Sequence, residues 1–226
     1  MVFELFRGVG ESQVDLIEKE IGTMLATSSE TFRMALDALT RRTDPASIGK
    51  TLRKRDRSIN KVERMIRRRL IVHAGVRGAL ADAPALFVYM SIAKDIERVG
   101  DLAKDMWDLA YAGADMSRGE LKEIADGVGE KVLRLIDDTA RVFGERDGEA
   151  AIDLLHASDM DVDYYEAQML AQMKADNAAD AVALALFYRY ATRITAHLMN
   201  VLTAVVMPFE RLDYWDEDKV DRDELG

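Results

Sequence analysis

Proline occurs only three times in 226 residues, at positions 45, 84 and 208. Between those positions apolar residues recur roughly every three to four residues, with almost none of the two-residue alternation of a half-buried strand. Long proline-free stretches with that period hide their apolar stripes by packing helix on helix. The spacing predicts six helices, near 12–42, 46–73, 83–112, 117–144, 148–174 and 179–207. Pro45 and Pro84 fall in first turns, where the missing N–H is not needed. Thr43-Asp44-Pro45, His73-Ala74-Gly75, Gly113-Ala114-Asp115 and the Gly-Glu-Arg-Asp-Gly run at 144–148 supply the expected breaks. Connections this short favour antiparallel neighbours, hence an all-α bundle.

A chain of 226 residues can bury a full core, as one large domain or two small ones. There is no cysteine, which removes disulfides, thiolate metal sites and cysteine nucleophiles and fits a reducing compartment. The opening Met-Val-Phe-Glu-Leu-Phe-Arg-Gly lacks the apolar run of a signal peptide. The most apolar stretch, 181–207, is interrupted by Arg189, Arg193 and His197, so no ordinary transmembrane segment is expected. The expectation is a soluble, cytoplasmic protein.

Charge is distributed unevenly. The net charge is -10, yet residues 50–69 hold ten Lys/Arg against Asp56 and Glu63, a local balance of +8 that leaves -18 elsewhere. Arg53, Arg57, Lys61, Arg64 and Arg68 recur at three and four residues and form one stripe of a helix, with Asp56, Asn60 and Glu63 on another face. Such a stripe is either a solvated outer face or a contact for an acidic partner, anionic lipid or nucleic acid. Aromatic residues are absent from 50–69, which argues against nucleic acid. Residues 208–226 form an acidic tail.

The opposite sign is concentrated in the third helix. Glu97 and Asp101 stand four residues apart, and Asp105 and Asp108 continue the same face. Read as a stripe of four carboxylates with no base inside it, this face is either fully solvated or neutralised by a cation. The acids also recur. Asp56-x-x-x-Asn60-x-x-Glu63 in the second helix returns as Asp159-x-x-x-Asp163-x-x-Glu166 in the fifth, and Glu97-Arg98-Val99 returns as Thr192-Arg193-Ile194 in the sixth. A period near 100 residues divides the chain into two three-helix repeats, 12–112 and 117–207, packed side by side.

These residues resemble the PhoU family, regulators of phosphate uptake built from two three-helix repeats. Asp95-Ile96-Glu97-Arg98-Val99-Gly100-Asp101-Leu102-Ala103 is close to the family's Asp-Leu-Glu-Arg-Ile-Gly-Asp block, and 56–63 and 159–166 are similar to its second-helix signature. The resemblance spans roughly 12–207 and implies a PhoU-like all-α fold of two repeated antiparallel three-helix bundles. It also implies a divalent or multinuclear metal, iron or zinc, held by Glu97 and Asp101 with Asp56 and Asn60 as companions. The second half departs from the pattern: Thr192 and Ala196 stand where acids are expected and are poor ligands for a hard cation. At most one site is expected, in the first repeat.

The function implied is a negative regulator of phosphate transport and phosphate homeostasis. It would act by binding a transporter ATPase or a sensor histidine kinase, as a homodimer or monomer, and reach the membrane through those partners. The basic face is the candidate contact. The alternative is a metal-free helical scaffold or accessory protein of another transport system. An enzyme is not expected. A di-iron carboxylate oxidase needs Glu-x-x-His pairs, whereas His73, His156 and His197 follow Leu70, Asp153 and Ile194 at that spacing. Phosphate loops and nucleophile elbows are likewise missing.

Overall fold

The computed structural model describes residues 11–77 and 83–207. Six helices account for nearly all of them: α1 (Glu11–Leu39), α2 (Pro45–Arg77), α3 (Ala83–Tyr111), α4 (Gly119–Glu145), α5 (Gly148–Ala171) and α6 (Ala178–Val206), with one 3₁₀ turn at Gln172–Lys174. Helices α1–α3 pack on one another as one antiparallel bundle and α4–α6 as a second, and the two lie side by side through α1 against α4 and α3 against α6.

Local chemistry sets the ends. Arg41 adopts a left-handed backbone (φ 55°), and Arg42 and Thr43 both donate their N–H to Asp37 O, which closes the last turn of α1. Asp44 then accepts from Ala46 N at 3.3 Å and Ser47 N at 3.2 Å, capping α2 with Pro45 as its first residue. Gly113, at φ 115°, lets Ala114 N reach back to Leu109 O and stops α3. Asp147 and Asn177 cap α5 and α6 in the same manner as Asp44.

Three expected boundaries move. The His73-Ala74-Gly75 run is not a break: α2 continues to Arg77, so His73 lies inside a helix, buried, rather than beyond its end. One glycine weakens a helix by only about 1 kcal/mol, and Ile66 and Leu70, both buried, hold this segment down. The first helix stops at Leu39 because of the left-handed Arg41, and the fifth tightens into the 3₁₀ turn after Ala171. The acidic tail 208–226, with Trp215, lies outside the described residues.

The core runs through both bundles. Trp107, Tyr89, Phe32 and Leu25 fill the first; Tyr165, Tyr188 and Phe187 fill the second. Between bundles, Leu36 of α1 presses against Gly129 of α4 so closely that an added Cβ there would lie 2.5 Å from it. Ser29 donates to Asp137 at 2.7 Å, Arg42 pairs with Asp126 at 2.5 Å, and Arg146 pairs with Glu18 at 2.9 Å. Across α3 and α6, the buried carboxylate of Asp95 takes His197 Nδ1 at 2.9 Å and Asn200 Nδ2 at 3.2 Å on the same oxygen.

Candidate functional site

The α2–α3 seam is where the sequence-predicted acids meet. Ile59 of α2 lies against Gly100 of α3, and a Cβ at Gly100 would stand 2.6 Å from Ile59 Cδ1. This close approach, between Glu97 and Asp101 on one helix and Asp56 and Asn60 on the other, brings both pairs to one line. All four side chains are half-buried. The Asp101 carboxyl is held above the usual carboxylate range by burial first, then by the negative charges of Glu97 and Asp56; Arg98 and Lys94 oppose the shift without cancelling it. Three carboxylates from two helices therefore repel one another here, and Asn60 stands one turn beyond Asp56 on α2, half-buried.

The expectation of a stripe without bases is corrected. Lys94 Nζ lies 2.6 Å from Glu97, Arg98 lies 3.1 Å from Asp101, and Lys104 reaches Asp105 at 3.2 Å and Asp108 at 2.9 Å. Lys94 and Lys104 are on the acidic face after all, three residues before Glu97 and four before Asp108, and that spacing was readable in the sequence. For Lys104, burial pushes the ammonium down, but the hydrogen bonds to Asp108 and Asp105 outweigh it and raise its pKa.

Carboxylate and amide oxygens are the right donors for a hard cation. As the side chains stand, no three His, Cys, Asp or Glu among the described residues converge as metal ligands; Glu97 and Asp101 face Lys94 and Arg98 instead. The donor set fits a metal by chemistry, and a metal would have to displace those two cations to reach it. In the second bundle Thr192 is buried and donates its hydroxyl to Tyr188 O at 3.0 Å. Asp163 and Glu166 there are exposed, and neither lines the groove of about 440 Å³ between α4, α5 and α6, which is walled by Tyr164, Tyr165 and Tyr188 with Glu120, Glu123 and Lys131.

A first expected result follows from the crowded carboxylates. A folded-state pKa above the unfolded value means that the folded chain holds its proton longer, so stability from Asp101 falls as pH rises through the carboxylate range. In chelator-treated protein, Asp101→Asn should thus raise the unfolding midpoint at neutral pH by roughly 1–3 °C and leave it unchanged in acid. Thermal unfolding at the two pH values checks this; a neutral-pH loss would mean that a cation or the Arg98 pair outweighs the repulsion.

Outside the seam, α2 sorts its cations by burial. The half-buried Arg55, Arg67 and Arg69 are each tied to an acid: Glu30, Glu63 at 2.6 Å and Glu20 at 3.0 Å. Arg53, Arg57, Lys61, Arg64 and Arg68 are exposed, and among the described residues none forms an ion pair. Arg57 and Arg64 donate only to backbone carbonyls of their own helix, Arg53 O and Asn60 O, at 3.1 Å. Arg53 lies over the Trp107 ring, 5.1 Å from its centroid, at the edge of a cleft of about 280 Å³ formed with Asp56, Arg57, Lys104 and Asp108.

Sequence reasoning missed one buried polar group outside the seam, the Asp95–His197–Asn200 cluster between α3 and α6. Asp95 is more than 100 residues from His197 and Asn200 in sequence, and nothing local marks it as their neighbour.

Residues 21–110, most of the first bundle, match the PhoU domain. The fold is similar to the crystal structure of PhoU from Pseudomonas aeruginosa, with a TM-score of 0.73 at 20% identity over 86% of this chain and 95% of that one. It is similar to the phosphate transport system regulatory protein PhoU from Streptococcus pneumoniae, with a TM-score of 0.74 at 18% identity over 86% and 94%. No curated protein matches the sequence.

Proposed function

We propose that the chain, whose residues 21–110 match the PhoU domain and whose fold is similar to that of PhoU, belongs to that family and regulates phosphate uptake and phosphate-starvation signalling in the cytoplasm by binding other proteins. The partner is a phosphate transporter ATPase or a sensor histidine kinase. The observation that carries this reading is the match over 21–110 together with the acidic α2–α3 seam that the matched segment contains. Among the described residues no helix is long and apolar enough to cross a membrane, so a protein of this kind would reach a transporter from its surface.

In this reading Glu97, Asp101 and Asp56 would hold a divalent or multinuclear metal, iron or zinc, with Asn60 as a neutral fourth ligand. The cation would relieve the repulsion that raises Asp101 and brace α2 against α3. A second reading is favoured by a specific observation. Lys94, Arg98 and Lys104 already pair with acids of this face, which suits a metal-free scaffold.

Two measurements separate these. Affinity capture from native cells grown in high and low phosphate should recover a phosphate transporter ATPase or sensor kinase in a phosphate-dependent manner; recovery of unrelated complexes alone would sink the regulator reading. Elemental mass spectrometry on untagged protein should find metal that disappears in Glu97→Ala/Asp101→Ala. Equal, negligible metal in both folded proteins would leave the scaffold reading.

A further inference from the structure

The outer face of α2 is continuous, and its two chemistries lie in one line. At 100° per residue, Lys50, Arg53, Arg57, Lys61, Arg64 and Arg68 fall on one stripe, and the next positions on that stripe are Ile71 and Val72. Ile71 is 64% and Val72 55% exposed, and Phe87, in the first turns of α3 at the same end of the hairpin, is 61% exposed. The opposite face carries Leu52, Ile59, Ile66 and Leu70, all buried. The stripe is straight and about 33 Å long from Lys50 to Val72. Arg53 and Arg57 also line the cleft beside Trp107; Lys61, Arg64 and Arg68 continue the stripe as exposed residues.

We propose that this face docks the protein directly on an anionic lipid bilayer, with α2 lying along the headgroups and Ile71, Val72 and Phe87 entering the interface. Such docking needs only the chain and the bilayer, whichever transporter or kinase the protein serves. Three features select a bilayer over other anions. The cations spread over about five turns of one helix, well beyond the cleft that Arg53 and Arg57 border, which suits an extended plane of charge rather than a pocketed ligand. The stripe itself carries no aromatic side chain on which bases could stack. It ends in bare aliphatic groups, which gain by entering acyl chains and gain nothing from a nucleic-acid backbone. The half-buried arginines of the same helix pair with acids, while among the described residues the exposed ones form no ion pair, so the outer charge is available to a surface outside the bundle.

The net charge of -10 does not prevent this. Fields are screened over about 8–10 Å at ordinary ionic strength, so a surface in contact with α2 meets the stripe before the acids of the distant helices. Asp56 and Asp108 share a cleft with Arg53 and Arg57, and Lys104 already pairs with Asp108, as Lys94 and Arg98 pair with Glu97 and Asp101.

Flotation of the full chain with vesicles tests the idea. Vesicles of phosphatidylcholine with phosphatidylglycerol should carry the protein up, phosphatidylcholine alone should not, and high salt should release it. Arg57→Ala/Lys61→Ala/Arg64→Ala should lower partitioning roughly a hundredfold, since each surface cation contributes about a factor of five. Ile71→Ser/Val72→Ser should lower it about tenfold while keeping the salt dependence. Both sets lie on the exposed face, and circular dichroism confirms their helix content. Equal partitioning to neutral and anionic vesicles, no effect of either variant, or salt-sensitive binding to duplex DNA or polyglutamate without vesicle binding would each overturn the proposal.

Discussion

Asp95→Ala should lower the stability of the folded chain by about 2–3 kcal/mol, because hydrogen bonds to a charged group are each worth more than neutral ones and both of these are lost together. The Asp95 carboxylate is buried and holds His197 and Asn200 of α6 on a single oxygen, at 2.9 and 3.2 Å. Truncation leaves an imidazole and an amide facing a small void at the contact between bundles. Asp95→Asn keeps an acceptor of the same shape and should lose about half as much. A cycle with His197→Ala should give a coupling of roughly 1–2 kcal/mol, read by urea unfolding. The pair joins α3 to α6, so a change in the denaturant slope as well as the midpoint would show the bundles beginning to unfold separately. A loss within 0.5 kcal/mol, about the scatter of surface substitutions, would mean that apolar contacts between α3 and α6 fix the bundles without the cluster.

The contrast between that cluster and the helices shows what the sequence could and could not reveal. Helix positions followed from apolar spacing and from caps such as Asp44-Pro45 and Asp147, which are local signals and were legible to within a few residues. Gly75 misled because one glycine costs a helix only about 1 kcal/mol, less than the packing of Ile66 and Leu70 just before it supplies, and the second helix runs on to Arg77. The acidic face was legible as residues but not as an electrostatic state. Counting only the carboxylates hid Lys94 and Lys104, whose pairing depends on rotamers as well as on spacing. The gathering of Asp56 with Glu97 and Asp101 required the close approach at Gly100, a tertiary fact whose sequence trace is one missing side chain. The basic stripe could be drawn from the sequence, but the division between paired inner and unpaired outer arginines could not. It depends on where Glu20 and Glu30 of α1 come to lie.

Trp107→Ala should be the most damaging single change, at about 3–5 kcal/mol. The ring is 1% exposed and sits between α2 and α3. Its Nε1 donates to Pro45 O at 2.8 Å, Arg53 lies over one face, and Tyr111 is tilted against it with ring centroids 5.3 Å apart. Trp107→Phe should lose less but not recover fully, since it keeps apolar volume and gives up the bond to the start of α2. The sharper test lies at Gly49. A Cβ there would stand 2.6 Å from the ring in the wild-type protein, and a buried, hydrogen-bonded indole has nowhere to retreat. Gly49→Ala should therefore cost about 1–3 kcal/mol from overpacking, more than the roughly 1 kcal/mol that alanine returns to a helix. In the Trp107→Ala background the obstruction is gone, and the same substitution should become neutral or stabilising. Chemical unfolding followed by circular dichroism reads all four proteins without relying on tryptophan emission. A Gly49→Ala that stabilises both backgrounds equally would show that the indole is not wedged against α2. The cleft of Arg53, Asp56 and Arg57 beside it would then owe its shape to the helix pair alone.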